Sequence, residues 1–185
     1  MARPIVRPEA DILLAVNGSP SSSSKTRAVV DLGIELAGGR VLDLASVDAD
    51  ALLFRGNHPS LDQALAAVEA ADRVLLATPV YRATYSGLLK LLLDHLPQGG
   101  LSGKAVILVA TGISPAHFLS VDTGLRVVVA SLSGWSVPTA VYAVPSDFDE
   151  QNRPGDRLRE SLTAAVAEST LVAGRAPGRT PEAPA

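Results

Sequence analysis

Short apolar runs alternate along this chain with longer segments in which apolar residues recur at helical spacing. The apolar runs are typical of strands buried in a sheet, and they span residues 12–16, 40–44, 73–77, 104–110 and 136–144. The helical segments span residues 29–36, 61–71, 88–96, 116–132 and 157–172. The pattern therefore predicts a strand followed by a helix, repeated along the whole chain.

Strands that alternate with helices favour a parallel sheet covered by helices on both faces. We predict a doubly wound α/β fold of the flavodoxin-like type, with five parallel strands in the order 2-1-3-4-5. In such sheets a ligand binds beyond the carboxyl ends of the strands, where the strand order reverses. This rule selects three loops rich in Ser, Thr, Gly and Pro, at residues 19–26, 78–87 and 111–114.

The chain divides into one predicted domain and two flanking segments. We expect a flexible arm at residues 1–10, the domain at residues 11–174, and a disordered Pro- and Gly-rich tail at residues 175–185. The first residues lack the apolar segment of a signal peptide, and a membrane span needs about 18 consecutive apolar residues that no window supplies. We therefore expect a cytoplasmic protein without a membrane partner.

Composition and charge narrow the classes of function. The formal net charge is −3 and no basic run is present, which argues against a nucleic-acid partner. The chain has no cysteine, so disulfides, thiolate nucleophiles and Cys-ligated metals are excluded. The histidines, His58, His95 and His117, are scattered without metal-ligand spacing, so we expect no metal site.

The first loop has the features of an anion site. The strand ends at Asn17-Gly18, a run of serines follows, and a helix begins near Lys25 and Thr26. Free backbone N–H groups and the positive end of the helix dipole meet at such a point, so we interpret the loop as the seat of a cofactor phosphate. The alternative is a serine loop in which Ser24 only caps the helix. The glycine patterns of Walker A and dinucleotide-binding loops are absent.

The other two loops suit a flat heteroaromatic ring. Pro79 stiffens the second loop, while Val80, Tyr81 and Tyr85 offer apolar contact and the following N–H groups can reach ring heteroatoms. The alternative is that both tyrosines are ordinary packing residues. In the third loop, glycine at 112 permits a close approach of the main chain to the other side of a ring. A tricyclic flavin needs this combination.

No residue set suggests a nucleophile or a general acid–base pair. We therefore predict no catalytic side chain, and a reaction in which the protein positions cofactors that carry the chemistry themselves. Hydride transfer between a nicotinamide and a flavin is such a reaction.

Several segments together resemble the NAD(P)H-dependent FMN reductases, and more narrowly the reductase components of two-component alkanesulfonate monooxygenase systems. The most specific segment runs from Thr78-Pro79-Val80-Tyr81 through Tyr85-Ser86-Gly87 to Leu96-Pro97, and Asn17-Gly18-Ser19-Pro20 and Ala110-Thr111-Gly112 add to it. The resemblance implies FMN, a reduced nicotinamide (NADPH or NADH) as donor, and a homodimer or homotetramer. It also implies two sets of contacts. The phosphate would meet Ser19, Ser24, Lys25 and Thr26. The ring and ribityl chain would meet Pro79, Val80, Tyr81, Ser86, Thr111 and Gly112.

Three positions depart from the family pattern. Ser21 stands where many relatives have Arg, which implies weaker phosphate binding or a transfer of that task to Lys25. Ile113 replaces a second glycine, so nicotinamide access is expected to differ. Thr123 replaces an aromatic residue linked to a helix bulge and to tetramer contacts.

The leading hypothesis is a reductase that passes hydride from NAD(P)H to FMN and supplies FMNH2 to a partner flavin-dependent monooxygenase. A variant keeps FMN bound and reduces a quinone, an azo compound or a metal oxyanion. A non-enzymatic FMN-binding electron carrier or redox-responsive module is a different class, and a degenerate fold without flavin is a third. For a 2′-phosphate of NADPH, the candidate cations are Arg82 and Arg126.

Overall fold

A computed structural model of the protein describes residues 12–119 and 121–173. The predicted arm and tail lie outside the described residues and stay predictions. The strands are β1 Leu13–Asn17, β2 Arg40–Asp43, β3 Arg73–Tyr81, β4 Thr84–Tyr85, β5 Ala105–Thr111, β6 Trp135–Ser136 and β7 Val141–Ala143. The α-helices are α1 Lys25–Ala37, α2 Ala49–Leu52, α3 Pro59–Ala70, α4 Gly87–His95, α5 Arg126–Ser131 and α6 Asp156–Ala173.

The strands form a parallel sheet in the order β2-β1-β3-β5, with β6 and β7 both paired to β5. The short strand β4 adds an antiparallel hairpin to the end of β3. Since β6 and β7 together occupy the place of the fifth predicted strand, the order 2-1-3-4-5 and the flavodoxin-like fold are confirmed.

Each face of the sheet has its own apolar core. Leu13 and Ala15 of β1 point to one face, where Val29 of α1 and Leu158 of α6 cover them. The alternate β1 residues face α3, α4 and α5 in the second core. Successive strand residues point to opposite faces, so a strand covered by helices on both sides must be apolar throughout. This is the reason that β1, β3 and β5 stand out in the sequence.

The predicted fifth strand over residues 136–144 is wrong as one continuous element. Val137 still donates its N–H to the Val106 carbonyl, at 2.9 Å, but regular pairing stops there and resumes at Val141. Pro138 follows Val137 and has no N–H to offer the ladder. The strand therefore forms as β6 and β7 on either side of an irregular segment.

The predicted single helix over residues 116–132 is also wrong. The structure has a 3₁₀ turn at Pro115–His117, a π-helical turn at Val121–Leu125, and α5 only from Arg126. Thr123 occupies the middle of the π-helical turn and donates its hydroxyl to the Leu119 carbonyl, at 2.9 Å. The bulge therefore forms with threonine at this position. No helix among the described residues is both long and apolar enough to cross a membrane.

Candidate functional site: three loops at one sheet edge

The three loops selected from the sequence leave the carboxyl ends of neighbouring strands. In the register, Asn17 of β1 lies beside Ala77 of β3, and Pro79 of β3 lies beside Thr111 of β5. Gly18 donates its N–H to the Ala77 carbonyl at 2.7 Å, which ties the first loop to β3. A Cβ at Gly18 would lie 2.9 Å from that carbonyl oxygen, so only glycine permits this close crossing.

Two side chains shape the start of the first loop. Asn17 is buried, and its Oδ1 accepts the N–H of Ser19 at 3.2 Å. Ser19 is buried in turn, and its Oγ accepts the N–H of Ser21 at 3.1 Å. Such side-chain turns bend the backbone where a helix or strand cannot continue. Among the described residues, Asn17 Nδ2 is buried without an acceptor, which leaves a polar donor under the loop.

The first turn of α1 presents free donors to the space above the loop. Ser24 is the N-cap, and its Oγ accepts the Arg27 N–H at 3.1 Å. The capping role predicted as the alternative is thus present, although the hydroxyl proton of Ser24 stays available to an acceptor. Among the described residues, no acceptor is found for the N–H groups of Lys25 and Thr26. These donors and the helix dipole fit a phosphate group.

Lys25 points toward the segment before α6. Its Nζ donates to Asn152 Oδ1 at 2.8 Å and lies 5.6 Å from the centre of the Phe148 ring. The hydrogen bond and the cation–π contact hold the ammonium beside residues 148–152. The predicted contact between Lys25 and a phosphate stays a prediction. It requires either that the Lys25 ammonium leaves these partners or that the Lys25 backbone N–H alone binds the anion.

Ser86 joins the first and second loops. It is buried, donates its hydroxyl to the Gly18 carbonyl at 2.7 Å, and accepts the Leu89 N–H at 3.1 Å as the N-cap of α4. The Ser86 N–H donates to Thr78 Oγ1 at 2.8 Å. In this arrangement Ser86 holds the loops in place from beneath, and its predicted contact with the flavin stays a prediction.

The second loop is a tight hairpin between β3 and β4. Arg82 and Ala83 form its two-residue turn with φ values of 51° and 64°. Positive φ at both central residues matches the twist of a hairpin, but it strains residues other than glycine. Tyr81 before the turn is 52% exposed, Val80 is half-buried and Pro79 is buried. The hairpin therefore presents one accessible aromatic side chain at the rim of the site.

Thr26 and Thr111 connect the first and third loops. Both side chains are buried, and their hydroxyl oxygens lie 2.6 Å apart in a hydrogen bond. This bond positions the start of α1 against the end of β5. As with Ser19 and Ser86, the side chain of Thr26 supports the loops, and its contact with a phosphate stays a prediction.

Gly112 begins the third loop in close contact with a tyrosine from the neighbouring strand. Its N–H donates to the Ala143 carbonyl at 2.9 Å. A Cβ at this position would lie 2.0 Å from Tyr142 Oη and 3.4 Å from Val80 Cβ. Tyr142 donates its hydroxyl to the Ser114 carbonyl at 2.8 Å, and burial raises the pKa of this phenol. Gly112 thus lies between the second loop and the Tyr142 ring.

The two arginines considered for a 2′-phosphate differ in their surroundings. Arg126 donates to Asp122 Oδ1 at 2.7 Å and to the carbonyls of Val137 and Pro138. It braces α5 against the irregular part of the fifth strand. Arg82 is exposed at the tip of the hairpin. The structure therefore favours Arg82 of the two.

An ion pair stabilises the segment that carries Phe148 and Asn152. Asp147 is buried, accepts the Val144 N–H at 2.8 Å, and pairs with Arg157 of α6. The Arg157 hydrogen bond holds the pKa of Asp147 below its ordinary value of 3.8, with the Val144 N–H adding to the effect against the opposing effect of burial. Asp147 is thus a carboxylate at neutral pH.

The site contains supporting residues that sequence reasoning missed. They are Asn17, Thr78, Tyr142, Phe148 and Asn152. Asn17 and Thr78 directly follow the apolar runs at residues 12–16 and 73–77, a signal that was available in the sequence. The other three follow β6, far from the loops they contact, and nothing local marks them. Among the described residues, no group of three or more metal-ligating side chains is found.

The parallel sheet, with three loops at its carboxyl edge, is that of a flavodoxin-like α/β protein, and comparison with known proteins identifies its family. A model of the family described as NADPH-dependent FMN reductase matches residues 12–149, so the chain belongs to that family. The predicted class of oxidoreductase, which uses FMN with NADPH or NADH, is confirmed at the level of the family.

Individual relatives agree with this assignment. The chain is 34% identical over 149 residues to "FMN reductase (NADPH)" of Escherichia coli strain K12, covering 77% of this chain and 78% of that protein. It is 38% identical over 130 residues to "FMN-dependent NADPH-azoreductase" of Staphylococcus aureus strain USA300, covering 65% and 68%. The apo form of the NADH:FMN oxidoreductase EMOB has a TM-score of 0.79 and 34% identity, covering 93% and 92% of the two chains.

Proposed function

We propose that this chain transfers hydride from NAD(P)H to FMN and releases reduced FMN to a partner flavin-dependent monooxygenase in the cytoplasm. The observation that carries the proposal is the α1 N-terminus, where the N–H groups of Lys25 and Thr26 have no acceptor among the described residues, above a loop of hydroxyls. A phosphate there places the attached isoalloxazine against the hairpin and the third loop, which leave the adjacent strands.

The protein contributes binding and orientation to this reaction. A reduced nicotinamide bound beside FMN would supply a hydride, which is one proton with two electrons, and the second proton of FMNH2 would come from solvent. Tyr81 and Val80 offer an apolar surface to a ring, and the backbone of the third loop limits the opposite side. Stacking the two rings in register is the catalytic contribution that such residues can make.

The arrangement of Lys25 supports release of the flavin. Its ammonium is bonded to Asn152 and lies near Phe148, so the donors nearest the loop are hydroxyls and backbone N–H groups. Neutral donors form weaker hydrogen bonds to an anion than a guanidinium or ammonium does. We therefore infer that FMN exchanges between turnovers, consistent with a substrate that passes to another enzyme.

The activity test is direct. Purified protein is mixed with FMN and with NADPH or NADH, and absorbance of the reduced nicotinamide is followed. We expect FMN-dependent oxidation of at least one nicotinamide. Flavin binding without any oxidation would support the electron-carrier hypothesis instead. Yellow flavin that remains bound through gel filtration, together with ping-pong kinetics, would favour the flavin-retaining reductase. An azo compound is one candidate acceptor for such an enzyme, and the S. aureus relative is named an FMN-dependent NADPH-azoreductase.

The phosphate position can be tested with a matched pair of variants at Ser24. Aspartate and asparagine both cap helices well, so Ser24→Asp and Ser24→Asn retain the cap. Only the aspartate places a negative charge beside the bound phosphate, which we expect to cost about 1–3 kcal/mol, or about 5- to 150-fold in FMN affinity.

Riboflavin is the control ligand, because it lacks the phosphate and should bind both Ser24 variants equally. Fluorescence titration measures all four dissociation constants. Equal FMN affinity in the two variants would contradict the placement of the phosphate at this loop.

We also propose that the protein is a homodimer or homotetramer. Support comes from three exposed apolar side chains near the π-helical turn, Phe118, Leu119 and Val127, at 56%, 49% and 61% exposure. Association would remove this apolar surface from water. Light scattering after size-exclusion chromatography gives the mass, and a monomer at micromolar concentration would reject the proposal.

A further inference from the structure

The third loop is shaped by a phenol from the neighbouring strand. Gly112 lies so close to Tyr142 that a Cβ at 112 would stand 2.0 Å from Oη and 2.9 Å from Cζ. Real Cβ atoms essentially never approach another heavy atom closer than 3.0 Å. The space beside Gly112 on this side is therefore already filled by the protein itself.

Tyr142 also fixes the loop by hydrogen bonding. Its hydroxyl donates to the Ser114 carbonyl at 2.8 Å, while the Gly112 N–H is bound to the Ala143 carbonyl at 2.9 Å. The loop is thus held at both ends by β7. Ile113 between these two anchors is 88% exposed, so the anchored backbone presents its side chain to the outside.

We propose that Tyr142 is the positioning residue for the third loop of the flavin site, and that position 112 is glycine to admit the Tyr142 phenol. The sequence suggested another reason for Gly112, namely the close approach of the flavin ring. This inference rests on the proposed function, since it assumes that the loop meets the flavin. Tyr142 acts through residues 112–114 and does not touch the reacting atoms.

The two explanations of Gly112 make different predictions for a double-mutant cycle. Gly112→Ala overpacks the contact and displaces the loop, and we expect the FMN dissociation constant to rise at least 10-fold. Tyr142→Phe removes the loop's hydrogen bond, for an expected rise of about 2- to 10-fold. In the Tyr142→Phe background the nearest atom to the new Cβ is the ring carbon at 2.9 Å, which needs only a small shift. There the effect of Gly112→Ala should shrink to about 3-fold or less.

If the flavin itself requires the absence of a Cβ at 112, the Gly112→Ala effect will be the same in both backgrounds, and the proposal is overturned. Riboflavin should respond to Tyr142→Phe as strongly as FMN does, because the loop faces the ring and not the phosphate. A response confined to FMN would also overturn the proposal.

A glycine elsewhere serves as the control. A Cβ at Gly134 would meet Val129 Cγ1 at 2.8 Å, beside α5 and β6. Gly134→Ala should lower the unfolding midpoint without changing FMN affinity, and Tyr142→Phe should not relieve its effect.

Unfolding midpoints for the cycle separate this inference from the proposed function. Relief of the Gly112→Ala destabilisation by Tyr142→Phe needs no flavin. If the wild-type protein fails to reduce FMN, the proposed function is rejected, while the unfolding data still decide whether the phenol is the reason for Gly112. Absence of relief in unfolding would reject the inference even in an active enzyme.

Discussion

Removal of the Ser86 hydroxyl should destabilise the protein more than its small size suggests. The side chain is 2% exposed and serves two partners, the Gly18 carbonyl at 2.7 Å and the Leu89 N–H at 3.1 Å. Loss of an N-cap costs about 1 kcal/mol. A buried carbonyl left without its donor costs about 1–2 kcal/mol more. For Ser86→Ala we therefore expect a loss of roughly 2–3 kcal/mol in the free energy of unfolding.

For a chain of this length, such a loss corresponds to a decrease of about 5–10 °C in Tm. Urea and thermal unfolding of the flavin-free protein measure it. Ser131→Ala is the matched control, because the Ser131 hydroxyl donates to the Val128 carbonyl on the exposed surface of α5. We expect that control to stay within about 0.5 kcal/mol of the wild type. Equal stability of the two variants would show that Ser86 does not join the loops as described.

Two further predictions concern pH and nicotinamide choice. Arg157 lowers the pKa of Asp147, so this pair contributes stability that is fully present above the unfolded pKa near 3.8 and is lost as pH falls through the lower, folded value. Asp147→Asn should be less stable than the wild type at pH 7. The difference between their unfolding free energies should shrink as pH is lowered below about 4. A difference that does not change with pH would contradict a stabilising ion pair between Asp147 and Arg157. Arg82→Ser should raise the KM for NADPH about 10-fold while leaving that for NADH within about 2-fold, since only NADPH carries the 2′-phosphate. Equal changes in the two KM values would exclude this role of Arg82.

The local sequence was a good guide to the elements that are buried on both sides. Leu14 and Ala15 must both be apolar because helices cover both faces of β1, and this requirement is visible in the sequence itself. The fifth strand and the helix before it were less well predicted. Pro138 interrupts the fifth strand, and the π-helical turn around Thr123 interrupts the helix before it. The apolar spacing alone did not indicate either break.

The sequence could not predict which distant residue each residue of the site contacts. Lys25 appeared suited to a phosphate because it opens a helix after a serine run, yet its ammonium binds Asn152, 127 residues away along the chain. Gly112 appeared suited to a flavin for its lack of a side chain, and the structure places the Tyr142 phenol on one side of it. The predicted contacts of Lys25 and Gly112 with FMN stay predictions. Each outcome depends on a partner that no local pattern identifies.

The sequence alone determined the order of elements, the parallel sheet and the edge at which three polar loops meet. It could do so because burial imposes apolar runs and because parallel strands joined by helices bring their carboxyl ends to one side. Only the tertiary structure decided which hydroxyls stay accessible and which hold the loops together. Hydrogen bonds such as those of Thr26 with Thr111 and of Ser86 with Gly18 join residues 85 and 68 positions apart, and only folding brings such groups within bonding distance.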